Sequence, residues 1–184
     1  MNIFILDPDP RQAAADLHDP HVVKMVLESA QLLSTAQILL SPRPQSGLYK
    51  PTHANHPCAK WTRESPENYS WLFLHLEGLL TSYTLRFKKT HKVESSGLFD
   101  KLSHIPEGDF PSSSLTPFAQ AMPEGFKNPS DPIAAYRAYY RTTKAFTKSG
   151  KFMARYSPPA TPPKWWYDYN ETFYPYLKGA KKEK

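Results

Sequence analysis

Residues 21–35 read HVVKMVLESAQLLST, and this stretch is the most informative part of the chain. At about 3.6 residues per turn, its polar side chains share one stripe and its apolar side chains share another. The polar stripe holds His21, Lys24, Glu28, Gln31 and Thr35, and the apolar stripe holds Val22, Val26, Ala30 and Leu33, with Val23 and Leu27 beside it. The pattern predicts a largely buried helix at the centre of a mostly helical fold.

Glu28 is the single carboxylate of this stretch, and His21 and Lys24 lie on the same stripe. A surface helix usually fills its polar face with many interchangeable Lys and Glu residues. A lone carboxylate on an otherwise buried helix is a candidate for a chemical role. The alternative is a helix with one solvated edge and an ordinary Lys24–Glu28 ion pair between residues four apart.

The composition indicates one soluble globular domain with an anionic partner. The chain has 184 residues, a net charge of +6, and 14% aromatic residues. Basic side chains bind phosphates and aromatic rings stack on bases, so this balance favours a nucleic-acid partner over a membrane surface. We expect a monomer that has no membrane segment.

The start of the chain and its cysteine content predict a cytoplasmic protein. The apolar run at residues 3–6 stops at Asp7-Pro8, which is too short for a signal peptide or a membrane span. Cys58 is the only cysteine, which excludes an intramolecular disulfide bond.

Helix signals recur along the chain and predict an all-α domain over residues 1–177, followed by a basic disordered tail at 178–184. Asp19-Pro20 predicts the N-cap and first residue of a helix that ends near Leu40, and residues 11–17 predict one or two turns before it. Ser65-Pro66-Glu67 predicts the start of a second long helix.

The second half of the chain predicts one further long helix after an irregular region. Residues 93–129 are rich in Ser, Pro and Gly, with helical turns expected near Phe99 and Phe118. Asp131-Pro132 predicts the start of a helix that runs to about Lys148.

Two searches for catalytic groups leave few candidates. His53, His56 and Cys58 suggest zinc ligands, but without a second cysteine they favour a hydrogen-bonding loop beside an active site, so we expect no metal and no cofactor. The chain has no nucleophile elbow and no phosphate-binding glycine loop. Glu28, the histidines and the terminal α-amine remain, and an amine can attack a sugar carbon to form an imine.

Two clusters predict contacts with nucleic acid. Arg137, Arg141, Lys144 and Lys148 recur at helical spacing, and their single sign favours phosphate binding over an ordinary solvated face. The aromatic run Trp165-Trp166-Tyr167 follows Lys164; such a run is either part of the core or an exposed stacking surface, and its flanking prolines favour the second.

Several of these motifs, in order, resemble the pyrimidine-dimer DNA glycosylases of the endonuclease V type known from phage. His21 and Glu28 have the family's spacing of seven residues, and Asn55-His56 resembles its loop before a long helix. The pattern from His56-Pro57 to Trp61 is similar to that of phage and bacterial relatives. Arg137 and Arg141 match a pair of phosphate-binding residues in spacing, and residues 163–169 resemble the family's C-terminal aromatic loop.

The resemblance implies a DNA N-glycosylase that acts on a damaged or modified pyrimidine in a bacterial or phage-infected cell. In the family, the N-terminal amine attacks the sugar C1′, a glutamate assists, and the imine permits strand scission by β-elimination. The matching catalytic residues are Met1, Glu28, His21 and His56. The implied DNA-binding residues are Lys24, Asn55, Arg137, Arg141, Lys144, Lys164, Trp165, Trp166 and Tyr167.

Three departures from the family leave the substrate open. Asn2 is bulky, which favours retention of Met1, whereas studied members lose Met and expose a Thr amine. Leu27 and Gln31 stand where the family has arginines. Two alternatives therefore remain: another enzyme that modifies a base or a nucleotide through the Glu28 pocket, and a non-enzymatic DNA-binding module.

Overall fold

The computed structural model describes residues 1–43 and 46–167. Within these ranges the fold is all-α and has no β-strand, which confirms the predicted fold class. The helices are α1 (Pro10–Ala15), α2 (Asp19–Leu40), α3 (Pro57–Thr62), α4 (Pro66–Phe87), α5 (Lys92–Ser95), α6 (Leu98–Leu102) and α7 (Pro132–Tyr139). Short 3₁₀ turns lie at Glu124–Phe126 and Lys164–Tyr167, and a π-helical turn at Tyr140–Lys144 extends α7.

Two long helices, α2 and α4, pack against each other at the centre, and α1 also packs on α4. Gly78 is what allows α1 to come so close. A Cβ atom on Gly78 would lie 2.9 Å from the Cα atom of Arg11. The main chain of α1 therefore rests almost directly on the surface of α4.

Local capping explains where most helices begin. Ser65 and Asp131 cap α4 and α7, each accepting a hydrogen bond from a main-chain amide three residues later, as predicted. The predicted cap of α2 is wrong by one residue: His18 is the N-cap and Asp19 already belongs to the helix. The Asp19 carboxylate bonds Arg86 and Ser157 instead of capping the helix.

Three further predictions need correction. The short helix α3 was not predicted; its N-cap is His56, whose Nδ1 accepts from the Cys58 amide. Helical structure after Asp131 ends at Lys144 and not near Lys148, because the chain reverses through a tight turn over residues 147–151. The turn near Phe99 is present in α6, whereas the one expected near Phe118 lies instead at Glu124–Phe126.

The N-terminal segment runs extended through the core. Residues 3–6 are each at most 4% exposed, although no strand pairs with them in the described part of the chain. Phe4 stacks on His21 of α2 and meets Tyr136 and Tyr140 edge to face. This packing places the beginning of the chain between α2 and the α7 region.

Residues 168–184, which include Asp168, Tyr169 and the predicted tail, lie outside the described residues. The domain boundary at residue 177 therefore stays a prediction. Among the described helices, none combines the length and the apolar character that crossing a membrane would need.

Candidate active site

Glu28 lies in the wall of a small polar cavity of about 200 Å³. Its side chain is 12% exposed, and its two oxygens have different partners. Lys24 Nζ lies 3.2 Å from Oε1, while the Asn2 amide donates to Oε2 across 3.1 Å. The terminal amine of Met1 lies 3.9 Å from the same Oε2. The cavity is lined by Met1, Asn2, Phe4, His21, Lys24, Met25, Glu28, Ala121, Tyr139 and Lys144.

The α-amine of Met1 is accessible although its side chain is not. The Met1 side chain is 3% exposed and packs on the core, whereas the residue as a whole is partly exposed. The exposed area therefore lies on the main-chain atoms, which include the amine. The side chain acts as an anchor that holds a reactive nitrogen at the cavity beside a carboxylate.

Asn2 fixes the main chain next to this amine. Its Nδ2 donates to the Ala121 carbonyl across 2.9 Å, and its Oδ1 accepts from the Ile3 amide and from the Tyr136 hydroxyl across 3.0 Å. Asn2 is nearly buried, so these bonds are shielded from water. Its side chain therefore sets the direction in which the chain presents its terminal nitrogen.

His21 is held in one neutral form by Tyr140. The Tyr140 oxygen accepts from the His18 amide and lies 3.0 Å from His21 Nδ1. Burial raises the pKa of Tyr140 well above its usual value, so the hydroxyl keeps its proton and can donate a hydrogen bond to Nδ1. Burial also lowers the pKa of His21 to about 2. The ring is therefore neutral and carries its own proton on Nε2, which makes it a hydrogen-bond donor.

His56 and Cys58 both lie near the N-terminus, whereas His53 bonds its own loop. The pKa of His56 is lowered by partial burial and by the positive charge of the N-terminus. Cys58 is buried with Sγ 3.7 Å from Asn2 Oδ1, and burial raises its pKa to about 12. His53 bonds Thr52, and Asn55 is exposed. Among the described residues, no group of three or more His, Cys, Asp or Glu residues is placed to hold a metal ion.

The predicted basic stripe does not form one continuous surface. Arg137 donates to the Leu6 carbonyl and pairs with Asp7, and Arg141 is 9% exposed with a bond to the Trp166 carbonyl. Lys144 reaches the cavity beside Glu28. Both arginines thus make contacts within the fold, while Lys144 borders the candidate site.

In the aromatic run 165–167, the two tryptophans pack against the fold and the tyrosine is exposed. Trp165 donates from Nε1 to Asp16 across 2.6 Å, and its ring lies under the guanidinium of Arg137. Trp166 meets Tyr140 and Tyr156 edge to face, and both tryptophans pack on the core. Tyr167 is 62% exposed. The run is therefore part core and part surface, and Lys164 beside it is exposed.

Sequence analysis missed three residues of this site: Asn2, Tyr136 and Tyr140. The tyrosines lie four residues apart on the buried side of α7 and its extension, a spacing that indicates only core packing. No local signal connects them with Asn2 or His21, more than 100 positions away.

The geometry thus places one α-amine and one carboxylate together in a polar cavity. The sequence profile of the pyrimidine dimer DNA glycosylase family matches residues 1–95, just over half of the 184 residues, and the chain belongs to this family. The matched region contains Met1, His21, Glu28 and His56. No curated protein and no solved structure matches the chain. In general terms, membership makes the protein a DNA-binding glycosylase.

Proposed function

We propose that the protein removes a damaged or modified pyrimidine from double-stranded DNA with the Met1 α-amine as nucleophile and Glu28 as the catalytic carboxylate. The observation that carries this proposal is the convergence of the amine and the Asn2 amide on Glu28 Oε2. A surface site for phosphates alone would not need a carboxylate there, since a carboxylate repels anions.

The first step is attack of the uncharged amine on the sugar C1′. The new C1′–N bond forms as the C1′–N1 bond to the pyrimidine breaks, and the base leaves with the electron pair. The nitrogen then carries an extra proton, which Glu28 Oε2 accepts because it is the carboxylate oxygen nearest the amine.

The second step opens the sugar ring. The C1′–O4′ bond breaks, the nitrogen lone pair forms the imine, and Glu28 returns its proton to O4′. His21 supports this step as a neutral donor from Nε2 to the sugar or its phosphate, and His56 positions the same groups from the amine side. Both His21 and Glu28 line the same cavity, so the two groups can act on one sugar.

The imine also explains how the proposed lyase activity would arise. Glu28, again a carboxylate, accepts a proton from C2′, the electrons of that C2′–H bond form the new C2′–C3′ double bond, and the C3′–O bond breaks, so that the 3′ phosphate departs and the strand is cleaved by β-elimination. Water then releases the sugar aldehyde and restores the amine. The reaction needs no group beyond the protein and water.

The DNA-binding part of the proposal is supported by the placement of the exposed and half-exposed candidates. Lys24, whose side chain is 63% exposed, and Lys144 flank the cavity. Asn55, Lys164 and Tyr167 are exposed and available for contact. Phosphate contact by Arg137 and Arg141, and stacking by Trp165 and Trp166, remain part of the proposal, although all four already have partners within the fold.

Borohydride trapping tests the mechanism directly. The protein is incubated with plain and with ultraviolet-irradiated duplex DNA in the presence of borohydride, which reduces an imine to a stable adduct. We expect an adduct only with irradiated DNA, and peptide mapping should place it on Met1. If neither adduct nor released base forms with irradiated DNA or with a panel of modified pyrimidines, the proposal is wrong.

Acetylation of the N-terminus, together with the variant Glu28→Gln and its control Glu107→Gln, separates this function from its alternatives. Acetylation of the N-terminus should abolish adduct formation, whereas an enzyme that used only the Glu28 pocket would stay active. Glu28→Gln should abolish turnover and leave DNA affinity nearly unchanged, while Glu107→Gln, a change at an exposed loop carboxylate, should leave both unchanged. A non-enzymatic module would show no product from any of these proteins.

A further inference from the structure

Residues 146–152 form a protruding turn that we call the Phe hairpin. Phe146 and Phe152 pair across its base as an isolated antiparallel bridge, and the Thr147 amide donates to the Lys151 carbonyl across 2.8 Å. Gly150 has a φ of +80°, which an L side chain rarely adopts, and this allows the tight reversal. The Phe hairpin is thus a defined structure with its own hydrogen bonds.

The two phenylalanines of the hairpin are both substantially exposed to solvent. Phe146 is 40% and Phe152 57% exposed, and the rings meet edge to face with centroids 5.5 Å apart. Exposing two adjacent aromatic rings is unfavourable unless a partner covers them. Their contact with each other holds the pair in one orientation, which lowers the entropy cost of binding.

The segment of sequence that carries these rings has ionisable side chains of one sign only. Residues 132–167 contain seven Lys and Arg residues and no Asp or Glu. Lys148 and Lys151 lie in the hairpin itself, and both are exposed. Aromatic rings among exposed cations match the two faces of a nucleic acid, since rings contact bases and ammonium groups contact phosphates.

Both legs of the hairpin are fixed beside the candidate active site. On one side, the Lys144 carbonyl lies 3.0 Å from His18 Nε2, and Lys144 also lines the cavity that holds Glu28. On the other side, the Asp19 amide donates to the Arg155 carbonyl across 2.9 Å. His18 and Asp19 begin the helix that carries Glu28. DNA bound at the cavity therefore comes within reach of the hairpin.

We propose that the Phe hairpin is a second DNA-contact element that inserts one or both phenylalanine rings against unstacked bases beside the target nucleotide. This inference rests on the proposed function, since it takes duplex DNA at the Glu28 cavity as its partner. Apolar side chains placed between base steps unstack them and help to extrude a nucleotide. Lys148 and Lys151 hold the flanking phosphates.

The test is the double variant Phe146→Ser/Phe152→Ser, measured with duplex DNA that contains a stable abasic-site analogue next to 2-aminopurine. The rings lie outside the core, so thermal unfolding should change little. We expect DNA affinity to fall at least about fivefold and the rise in 2-aminopurine fluorescence on binding to be lost. Leu115→Ser, a change at a leucine that is 47% exposed on a different loop, should leave both unchanged.

The lysines give a separate readout. Lys148→Gln/Lys151→Gln should lower the dependence of binding on salt by about one unit of slope per lysine, more than the matched pair Lys50→Gln/Lys92→Gln elsewhere on the surface. The inference is overturned if the phenylalanine variant binds and unstacks DNA as the parent does. It is also overturned if the variant differs only in dissociating a dimer, which would assign the rings to a second copy of the chain.

These outcomes do not depend on turnover. Binding and fluorescence can be measured in the Glu28→Gln background. If no imine is ever trapped but the hairpin variant still loses affinity, the proposed chemistry fails and the hairpin inference stands. If imine is trapped normally and the variant binds unchanged, the hairpin inference alone fails.

Discussion

The main-chain amide of Asn2 donates a hydrogen bond to Glu28 Oε2 across 3.1 Å, so the residue next to the terminal amine is tied to the oxygen that faces that amine. Glu28 cannot turn away from the amine without breaking this bond. Lys24 holds the other oxygen. The carboxylate is therefore fixed from both sides before any substrate arrives, which is the preorganisation that catalysis favours.

Tyr136→Phe should slow imine formation without weakening DNA binding. The variant removes the hydroxyl that lies 3.0 Å from Asn2 Oδ1, and that also bonds the Ala119 carbonyl and the Ala121 amide, and it leaves the buried ring in place. Loss of the contact with Asn2, at about 0.5–1.5 kcal/mol for one hydrogen bond, corresponds to a two- to tenfold slower rate of borohydride trapping. Trapping rates under single-turnover conditions measure the effect.

Tyr69→Phe is the matched control, because Tyr69 is equally buried but its hydroxyl bonds Gln37 and Leu102. It should lose similar stability and keep the normal trapping rate. If the two variants slow trapping equally, positioning through Asn2 is not the cause.

Tyr140→Phe should release His21 from its fixed form. Without the hydroxyl, Nδ1 has lost its donor and the ring can exchange its proton between the two nitrogens. Nitrogen NMR should show the proton on Nε2 in the parent protein and a mixture of both forms in the variant. We expect turnover to fall while DNA affinity stays; a single Nε2–H form in the variant would contradict the assignment.

Acid should destabilise the protein from about pH 6.5 downward. Burial lowers the pKa of His18, of His21 to about 2 and of His75 to about 3. The unfolded chain therefore binds protons below pH 6.5 that the folded protein excludes, so the free energy of unfolding falls as pH falls. Each histidine contributes a slope of up to about 1.4 kcal/mol per pH unit. Urea unfolding between pH 4 and 7 would measure it.

His75→Phe should raise stability, most strongly at acid pH. His75 is fully buried, stacks on Trp71, and neither of its ring nitrogens has a hydrogen-bond partner in the described residues. A phenyl ring keeps the stacking and removes an unpaired polar group that costs about 1–3 kcal/mol. The dependence of the free energy of unfolding on pH should also become less steep, because one buried histidine no longer contributes to it. A variant that is less stable at every pH would show that the ring nitrogens are satisfied.

Arg86→Met should destabilise the protein by about 3–5 kcal/mol, because it removes the buried cation of the Asp19 carboxylate and leaves, among the described cations, only the exposed Arg155 guanidinium 3.9 Å away. Arg86 donates to the carbonyls of Leu17 and Ala15, and lies 3.3 Å from Asp19 Oδ1. Urea unfolding measures the loss. The double variant Arg86→Met/Asp19→Asn should recover part of it, and simple additivity of the two changes would argue against the pair.

The features that were predictable from sequence are those set by near neighbours in the chain. Ser65 and Asp131 predict the first residues of their helices, because an N-cap side chain bonds a main-chain amide only three residues away. The polar stripe that contains Glu28 follows from helical periodicity. Arg141 was expected to face solvent, but the π-helical turn at Tyr140–Lys144 places it inside, and periodicity does not encode that turn. From the sequence, Asn2 indicated only that Met1 is retained. Its role in holding the start of the chain was not predictable, because its partners Ala121 and Tyr136 are distant in sequence.

Asn2 and Tyr136 are 134 positions apart, and this separation sets an order of events during synthesis. While the ribosome is still making the middle of the chain, the nascent N-terminus has neither Ala121 nor Tyr136 to hold it. The contacts that fix Asn2 can form only after α7 has emerged. An incomplete chain that ends before Ala121 therefore contains every residue matched by the family profile but lacks both of these partners of Asn2.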